Sequence, residues 1–284
     1  MDKHSLFGHT DRRTRSSTHP RTSRRIRRSA LALGAGLALA AAFPGSALAA
    51  PSVAASTNTL AAPPQALPGN ADALAQRFQP AYDYDKDGCY PTPAIGRDGT
   101  VAPGLKTSGA LNGHCRDRWD LRNTNGYARY KCDNGWCAIM YALYFEKDQV
   151  SVLGGGHRHD LEHVVVWVRN NQARYVATSA HGKYTVRRSD QIQWQGTHPK
   201  IVYHKDGIAT HAFRFATPND EPPENHDGRW QFPALVGWNG FPPGIRDRLV
   251  SADFGSARLD LKDGRFAPNL AKAMPSGIRF NPNA

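Results

Sequence analysis

Long apolar segments are nearly missing from this chain. The one continuous run, ALALGAGLALAAAF at Ala30–Phe43, has fourteen residues, too few to span a bilayer comfortably, and no later stretch is long and apolar enough to be transmembrane. It lies between a basic segment, SRRIRRS at Ser23–Ser29, and an A-x-A site at Ala47-Leu48-Ala49. That order describes a secretory signal over residues 1–49, cleaved after Ala49. The paired arginines leave Sec and twin-arginine export both open. Strong basicity is missing too, once the signal is set aside: of 36 Lys/Arg and 24 Asp/Glu, nine and two lie in residues 1–49, leaving 27 against 22, a formal +5. A charge that modest is poor support for nucleic-acid binding, and no RNA- or DNA-binding motif supplies other support. No internal repeat or Pro/Gly/Ser-rich break divides the chain after Asn70. A soluble, exported protein with one domain over residues 70–284 is expected, joined to its signal by an uncharged, flexible Ala/Pro/Ser/Thr linker at 50–69.

Four cysteines are present, Cys89, Cys115, Cys132 and Cys137. Neither spacing resembles a zinc knuckle, and an even count in an exported chain points to two disulfides. Three pairings are possible; Cys89–Cys115 with Cys132–Cys137 is favoured, the second closing a tight loop around Asp133-Asn134-Gly135. A short helix is expected from Asn70 as its cap, with Leu74 and Phe78 one turn apart and Pro80 ending it. Residues 83–135 are rich in Gly, Asp, Asn and Pro and read as irregular loops. Cys137–Asp148 and Val164–Val168 are apolar on both faces, as buried strands are, and RYVATSA follows. Ile201–Ala216 reads as a hairpin turning at Asp206-Gly207. Two C-terminal helices are expected, one from Pro243 burying Ile245 and Leu249, one over Pro268–Met274. The pattern describes a mainly β protein with peripheral helices, a single-domain antiparallel β-sandwich.

The chemistry concentrates in GGGHRHDLEH, Gly154–His163. Alternation along a strand places Asp160 and Glu162 on one face and His159, Leu161 and His163 on the other. His159 and His163 are therefore read as structural hydrogen-bonding residues. Two same-face carboxylates repel unless a cation sits between them or one is protonated. His157 joins them only if the backbone turns first, which Gly154-Gly155-Gly156 permit. A hairpin with the eight-residue loop Gln149–Gly156 brings Asp148 beside them. Asp148, His157, Asp160 and Glu162 would then suit a hard divalent cation, Mg²⁺, Ca²⁺ or Mn²⁺, better than zinc. Other chemistries fit less well. A polar turn entering a buried strand is the plain reading of the local pattern. The H-x-H-x-D-H run of zinc hydrolases has a different spacing and H-E-x-x-H is absent. An inverting carboxylate pair needs more separation than strand neighbours have.

These residues carry a family resemblance. GHRHDLE, Gly156–Glu162, resembles the GHRHDWE heptapeptide of the necrosis- and ethylene-inducing-peptide-like proteins, secreted cytolysins of plant-associated microbes. DKDGCYPTPAI, LKTSGALNGHCR, AIMYALYFEKD, SAHGKY and DFGSA…LKDGRFAPNLAKA resemble further family blocks in family order, from about Ala81 to Ala273. The resemblance implies an actinoporin- and fungal-lectin-like β-sandwich and a divalent cation, Mg²⁺ or Ca²⁺, held by Asp148, His157, Asp160 and Glu162. It implies the disulfide Cys89–Cys115, with Cys132–Cys137 marking the subgroup that has two disulfides and a proposed calcium site. It further implies a non-enzymatic, monomeric cytolysin whose partners are a plant plasma-membrane glycosphingolipid, a glycosyl-inositol-phosphoryl-ceramide, and the target-membrane surface. Two departures stand out: Leu161 replaces the family tryptophan, and the segment between Asp148 and His157 is one residue longer and lacks the family proline. A metal-assisted hydrolase of a polysaccharide or glycolipid, and a non-toxic glycan-binding module, are the alternatives.

Lesser candidates remain. DYDKDG matches the first half of an EF-hand loop and makes Asp83, Asp85 and Asp87 a candidate second calcium site, although Ala94 stands where the loop's glutamate would be. His181 and Arg158 are candidates for lining the ligand cavity. Trp238 and Phe241, in GWNGFPPG, are candidates for membrane contact.

Overall fold

The computed structural model describes residues 61–284, and the expected signal segment lies outside them. Helix α1 (Ala73–Arg77) precedes strand β1 (Ala81–Tyr84), and α2 (Arg118–Arg122) precedes β2 (Asn125–Asp133). The long strands β3 (Trp136–Ser151) and β4 (Gly154–Arg169) follow, then β5 (Gln172–Ala180) and β6 (Lys183–Arg188). After β7 (Trp194–Gln195), β8 (His198–Lys205), β9 (His211–Phe215) and β10 (Ala234–Gly237) come α3 (Ile245–Ser251) and α4 (Phe266–Lys272). One sheet has six strands in the order β10-β2-β3-β4-β5-β6; the other has four, β1-β8-β7 with β9 also on β8. The expected sandwich is present, with one qualification. Two pairings, β1 with β8 and β10 with β2, are parallel, so both sheets are mixed.

β3 is apolar on both sides because both sides are covered. Ile139, Tyr141, Leu143 and Phe145 pack between the sheets with Tyr84, Tyr203 and Phe213, and Phe145 stacks on Tyr203 at 3.7 Å. Ala138, Met140, Ala142 and Tyr144 face the other way, under a C-terminal segment that contributes Leu249, Phe254, Leu261, Phe266 and Leu270. Trp167 on β4 is fully buried there and donates its indole N–H to the Ala273 carbonyl at 3.0 Å. A buried tryptophan with its one donor satisfied anchors that segment, and its removal typically costs about 3–5 kcal/mol. Ile245 and Leu249 are buried as expected, and α4 starts two residues earlier than the sequence suggests. Both disulfides, Cys89–Cys115 and Cys132–Cys137, are formed.

Several expectations are corrected. Asp72, not Asn70, caps α1, its carboxylate accepting from the Ala75 N–H at 3.0 Å. Asn70 instead ties the chain to Gly237 and Gly240. The supposedly irregular 83–135 region contains α2 and all of β2. Trp238 and Phe241 do not reach out of their Gly/Pro-rich loop. Trp238 is buried and edge-on to Phe241, and Phe241 stacks on Tyr127 at 5.8 Å, so both belong to the core.

The end of the expected linker is docked. Leu67 is buried in the core, and Asn125 holds its backbone twice, accepting from its N–H at 2.8 Å and donating to its carbonyl at 2.9 Å. The Asn125 amide also reaches the Ala234 carbonyl at 3.0 Å. Apolar burial at one leucine and a side-chain clamp on its peptide groups suffice to order a segment whose composition alone reads as flexible. Asn125→Ala strands these buried groups and is expected to lower the unfolding free energy by about 2–3 kcal/mol. Urea melts of the mature chain measure this; an unchanged midpoint would mean that the segment is not held.

Candidate functional site

β3 and β4 form one hairpin whose turn is only Val152-Leu153, shorter than the eight-residue loop expected. Gly156 sits opposite Gln149 with φ 89°, and a Cβ there would lie 2.0 Å from the Asp148 carbonyl, so only glycine fits. Asp148 faces His157 directly across this ladder, and Phe145 faces Asp160. In an unbroken ladder His157 and Asp160, three positions apart, would point to opposite faces. The ladder is interrupted between these pairs, where His159 adopts φ 61°. The alternation is reset at His159, not at the glycines to which sequence reasoning assigned the crossing.

The reset brings one donor atom each of Asp148, His157 and Asp160 within 4.8 Å of one another. His157 Nδ1 lies 2.6 Å from the His159 carbonyl oxygen. A carbonyl only accepts, so Nδ1 carries the proton and the lone pair is on Nε2, which lies 3.8 Å from Asp148 Oδ2. Asp160 accepts from the Tyr203 hydroxyl at 2.9 Å. Glu162 lines the same cavity but stands outside the three-residue group, its carboxylate held by the Ser179 hydroxyl, which accepts from the His163 N–H at 2.7 Å. His159 and His163 are indeed tied up structurally, His159 by the Tyr144 hydroxyl and His163 by the Asp260 N–H.

Burial first, and then the neighbouring Asp148 carboxylate, raises the pKa of Asp160; burial and the Asp160 charge raise that of Glu162 well above the carboxylate range. Three carboxyls sharing a desolvated cavity carry a repulsion that a divalent ion would relieve. With two buried carboxylates and an imidazole facing them, the Asp148, His157 and Asp160 group can bind a metal ion, and the predominance of oxygen fits a hard one.

The cavity, about 310 Å³, is completed from elements that sequence reasoning did not connect to it. His211 at the start of β9 is the principal omission. Its backbone N–H and its Nδ1 both lie 2.8 Å from Asp148 Oδ1, and its Nε2 faces Asp87 at 3.7 Å. Burial depresses its pKa, but hydrogen bonding to Asp148 and the facing Asp87 outweigh this and raise it to about 9. No local motif announces His211; it arrives from the other sheet. Arg258, Arg265 and Lys272 add a basic wall from the C-terminal segment. His181 lines the cavity as expected and is steadied by Asp206 at 3.0 Å. Arg158 does not: its guanidinium turns away to the Pro103 and Gly104 carbonyls. Leu161 packs in the cluster beneath the C-terminal segment and borders the cavity.

Asp83, Asp85 and Asp87 are not brought together around a common point. Asp83 accepts from the Glu224 N–H and the Asn225 amide, Asp85 lies 3.6 Å from Arg214, and Asp87 faces His211. The half EF-hand motif is therefore used for internal bracing, and one of its carboxylates supports the cavity at one remove.

The necrosis-inducing protein (NPP1) family model matches residues 72–273, more than half of the chain. The chain belongs to that family. NLP effector protein 10 of Phytophthora capsici is 35% identical over 66% of this chain and 77% of its own length. Among solved structures, NLPPya in complex with mannosamine shares 34% identity with a TM-score of 0.64, covering 74% of this chain and 96% of the other. Non-toxic HaNLP3 shares 26% identity at the same TM-score, covering 76% of this chain and 99% of its own. Family membership therefore brings the toxin fold, and its solved members include one bound to an amino sugar and one without toxicity.

The raised carboxyl pKa values set a sign. Without an ion, the contribution of Asp160 and Glu162 to stability is complete below the unfolded carboxylate value of about 4 and falls as pH rises through their raised folded values. A bound divalent ion replaces the protons and reverses that fall. Melting temperature is thus expected to decline from acid to mildly alkaline buffer in chelator, and to recover on adding Ca²⁺ or Mg²⁺ chiefly at the alkaline end. Parallel pH profiles would contradict this.

Proposed function

We propose that this protein, once exported, is a metal-dependent cytolysin-like binder of sugar head groups on plant glycosyl-inositol-phosphoryl-ceramides, and that it perturbs the membrane carrying them. The observation that carries this is the placement of the cavity. Asp148 and His157 lie close to the tip of the β3–β4 hairpin, where Leu153 is 97% exposed, and Thr210 and His211 of the cavity follow the β8–β9 turn, where Ile208 is 94% exposed. An exposed leucine and isoleucine on two turns beside a polar cavity suit shallow contact with a lipid surface. They replace Trp238 and Phe241 in that role.

An ion held by Asp148, His157 and Asp160, with Glu162 lining the same cavity, would supply a Lewis-acid contact for sugar hydroxyls. His211 fixes the Asp148 carboxylate, and Tyr203 fixes Asp160. Arg258 and Lys272 on the basic wall match an acidic group such as a phosphoryl linkage. The amino-sugar complex of a relative supports the sugar class, and binding without chemical turnover accords with a toxin family whose members are generally non-enzymatic.

The test uses dye-loaded vesicles containing plant sphingolipid. Leakage is expected with divalent ions and should be abolished by chelator and by Asp160→Asn. Leu153→Asp with Ile208→Asp should keep ion-dependent binding to the vesicles while losing leakage. Catalytic release of free sugar would replace the binding function with a hydrolase, and binding without leakage by the unaltered protein would limit it to glycan recognition.

A further inference from the structure

A second pocket, about 560 Å³, lies at the opposite end of the β3–β4 hairpin. It is bounded by Trp136, Arg169, Arg174, Tyr175 and Arg188, with Asn170, Ser189 and Asp190 at its rim. Trp136 is twelve ladder steps from Asp148, a separation of roughly 40 Å at about 3.3 Å per residue. The two sites therefore share no residue.

Three features of the ladder build this pocket. Trp136 stands directly opposite Arg169, whose guanidinium lies over its ring at 5.3 Å. Tyr175 stands directly opposite Arg188, so the aromatic–arginine pairing occurs twice. Between the two pairs the β4–β5 register slips: Trp167 faces Tyr175 but Val168 faces Ala173, leaving Arg174 as an extra residue without a partner. A bulge re-aims the inserted side chain, and here Arg174 and its neighbour Tyr175 line one pocket although strict alternation would separate them.

The charge is used internally only in part. Arg188 pairs with Asp190, but among the described residues Arg169 and Arg174 form no ion pair and donate no hydrogen bond to a protein oxygen. Arginine forks match planar carboxylates, and a half-buried tyrosine ring offers a face to the C–H groups of a sugar. The three arginines stand on three successive strands, and neighbouring strands lie about 5 Å apart, close to the advance of one pyranose ring along a chain. Trp136 is covered by Arg169, so its ring is not open for a nucleobase to stack on.

We propose that this pocket is a second, metal-independent binding site for an acidic oligosaccharide, with uronate carboxylates held by Arg169, Arg174 and Arg188. It stands independently of the membrane function proposed above. With the Leu153 and Ile208 turns against a lipid surface, the pocket would face away from it and stay open to a polysaccharide.

Calorimetric titration of the mature protein in chelator tests it, with an oligogalacturonate of defined length and a neutral oligoglucan of equal length as probes. The oligogalacturonate is expected to bind and the oligoglucan not. Arg169→Gln with Arg174→Gln should weaken binding by about tenfold or more while the protein still unfolds in one cooperative transition. Arg169→Lys with Arg174→Lys, which keeps charge but loses the fork, should recover only part of it. Equal binding of the neutral oligomer, or undiminished binding by the glutamine pair, would overturn the site. Equal binding of polyglutamate would overturn the saccharide, and full recovery with lysine would overturn the fork geometry. Asp160→Asn should bind as the unaltered protein does; loss of binding there would assign the probe to the metal cavity.

Discussion

Mutual repulsion among buried carboxyls is the constraint around which this structure is arranged. Asp148, Asp160 and Glu162 are all withdrawn from water and line one cavity, and among the described residues none has a guanidinium or ammonium hydrogen-bonded to it. Each is instead held by one neutral or imidazole group: His211 on Asp148, Tyr203 on Asp160, Ser179 on Glu162. Such a set is costly to bury without a compensating cation, and its cost explains why so much of the surrounding fold is devoted to bracing it. Asp87 backs His211, the stack of Tyr203 on Phe145 fixes the hydroxyl that reaches Asp160, and the disulfide Cys89–Cys115 closes the loop that follows Asp87.

The same constraint accounts for the local distortion of β4. A regular strand cannot present His157 and Asp160 to one point, so the ladder breaks at His159, a non-glycine residue held at positive φ. Strain of this kind persists only where the surroundings fix it, and the His159 ring is bound to Tyr144 and packed against Phe254. Gly104 has no side chain because the His159 ring and Arg158 occupy that space, the ring at 2.6 Å from where a Cβ would stand. A second irregularity, at Trp167 and Val168 near the far end of the same strand, re-aims Arg174 on the neighbouring β5. The two ends of one long hairpin thus border two polar clusters of opposite charge, the basic one completed by β5 and β6, with a buried apolar middle between them.

Much of this was legible in the residues. The two-sided apolarity of Cys137–Phe145 and of VVVWV marks strands covered on both faces, and the hairpin at Asp206-Gly207 follows from turn chemistry. The acidic and imidazole density of Gly156–Glu162 with Asp148 marks, by donor chemistry alone, a group that could bind a metal ion. What misled was local pattern without its partner. DYDKDG looks like a calcium loop until Arg214, Asn225 and His211 take its carboxylates one by one. GWNGFPPG looks like an exposed loop until Tyr127 and Arg129 cover its rings. Residues 64–69 look like linker until Asn123 and Asn125 bind their backbone.

The sequence by itself determined the buried strands β3 and β4, a favoured set of cysteine pairs and the chemical type of the cavity, because periodicity, spacing and side-chain donors are properties of neighbouring residues. Only the tertiary structure decided which face His157 takes, that His211 completes the cavity and that Arg158 leaves it. It alone showed that Leu153 and Ile208, not Trp238 and Phe241, stand in solvent. Each of those outcomes depends on contacts between residues far apart in the chain, such as the 63 positions separating Asp148 from His211, and alternation along one strand has no access to them.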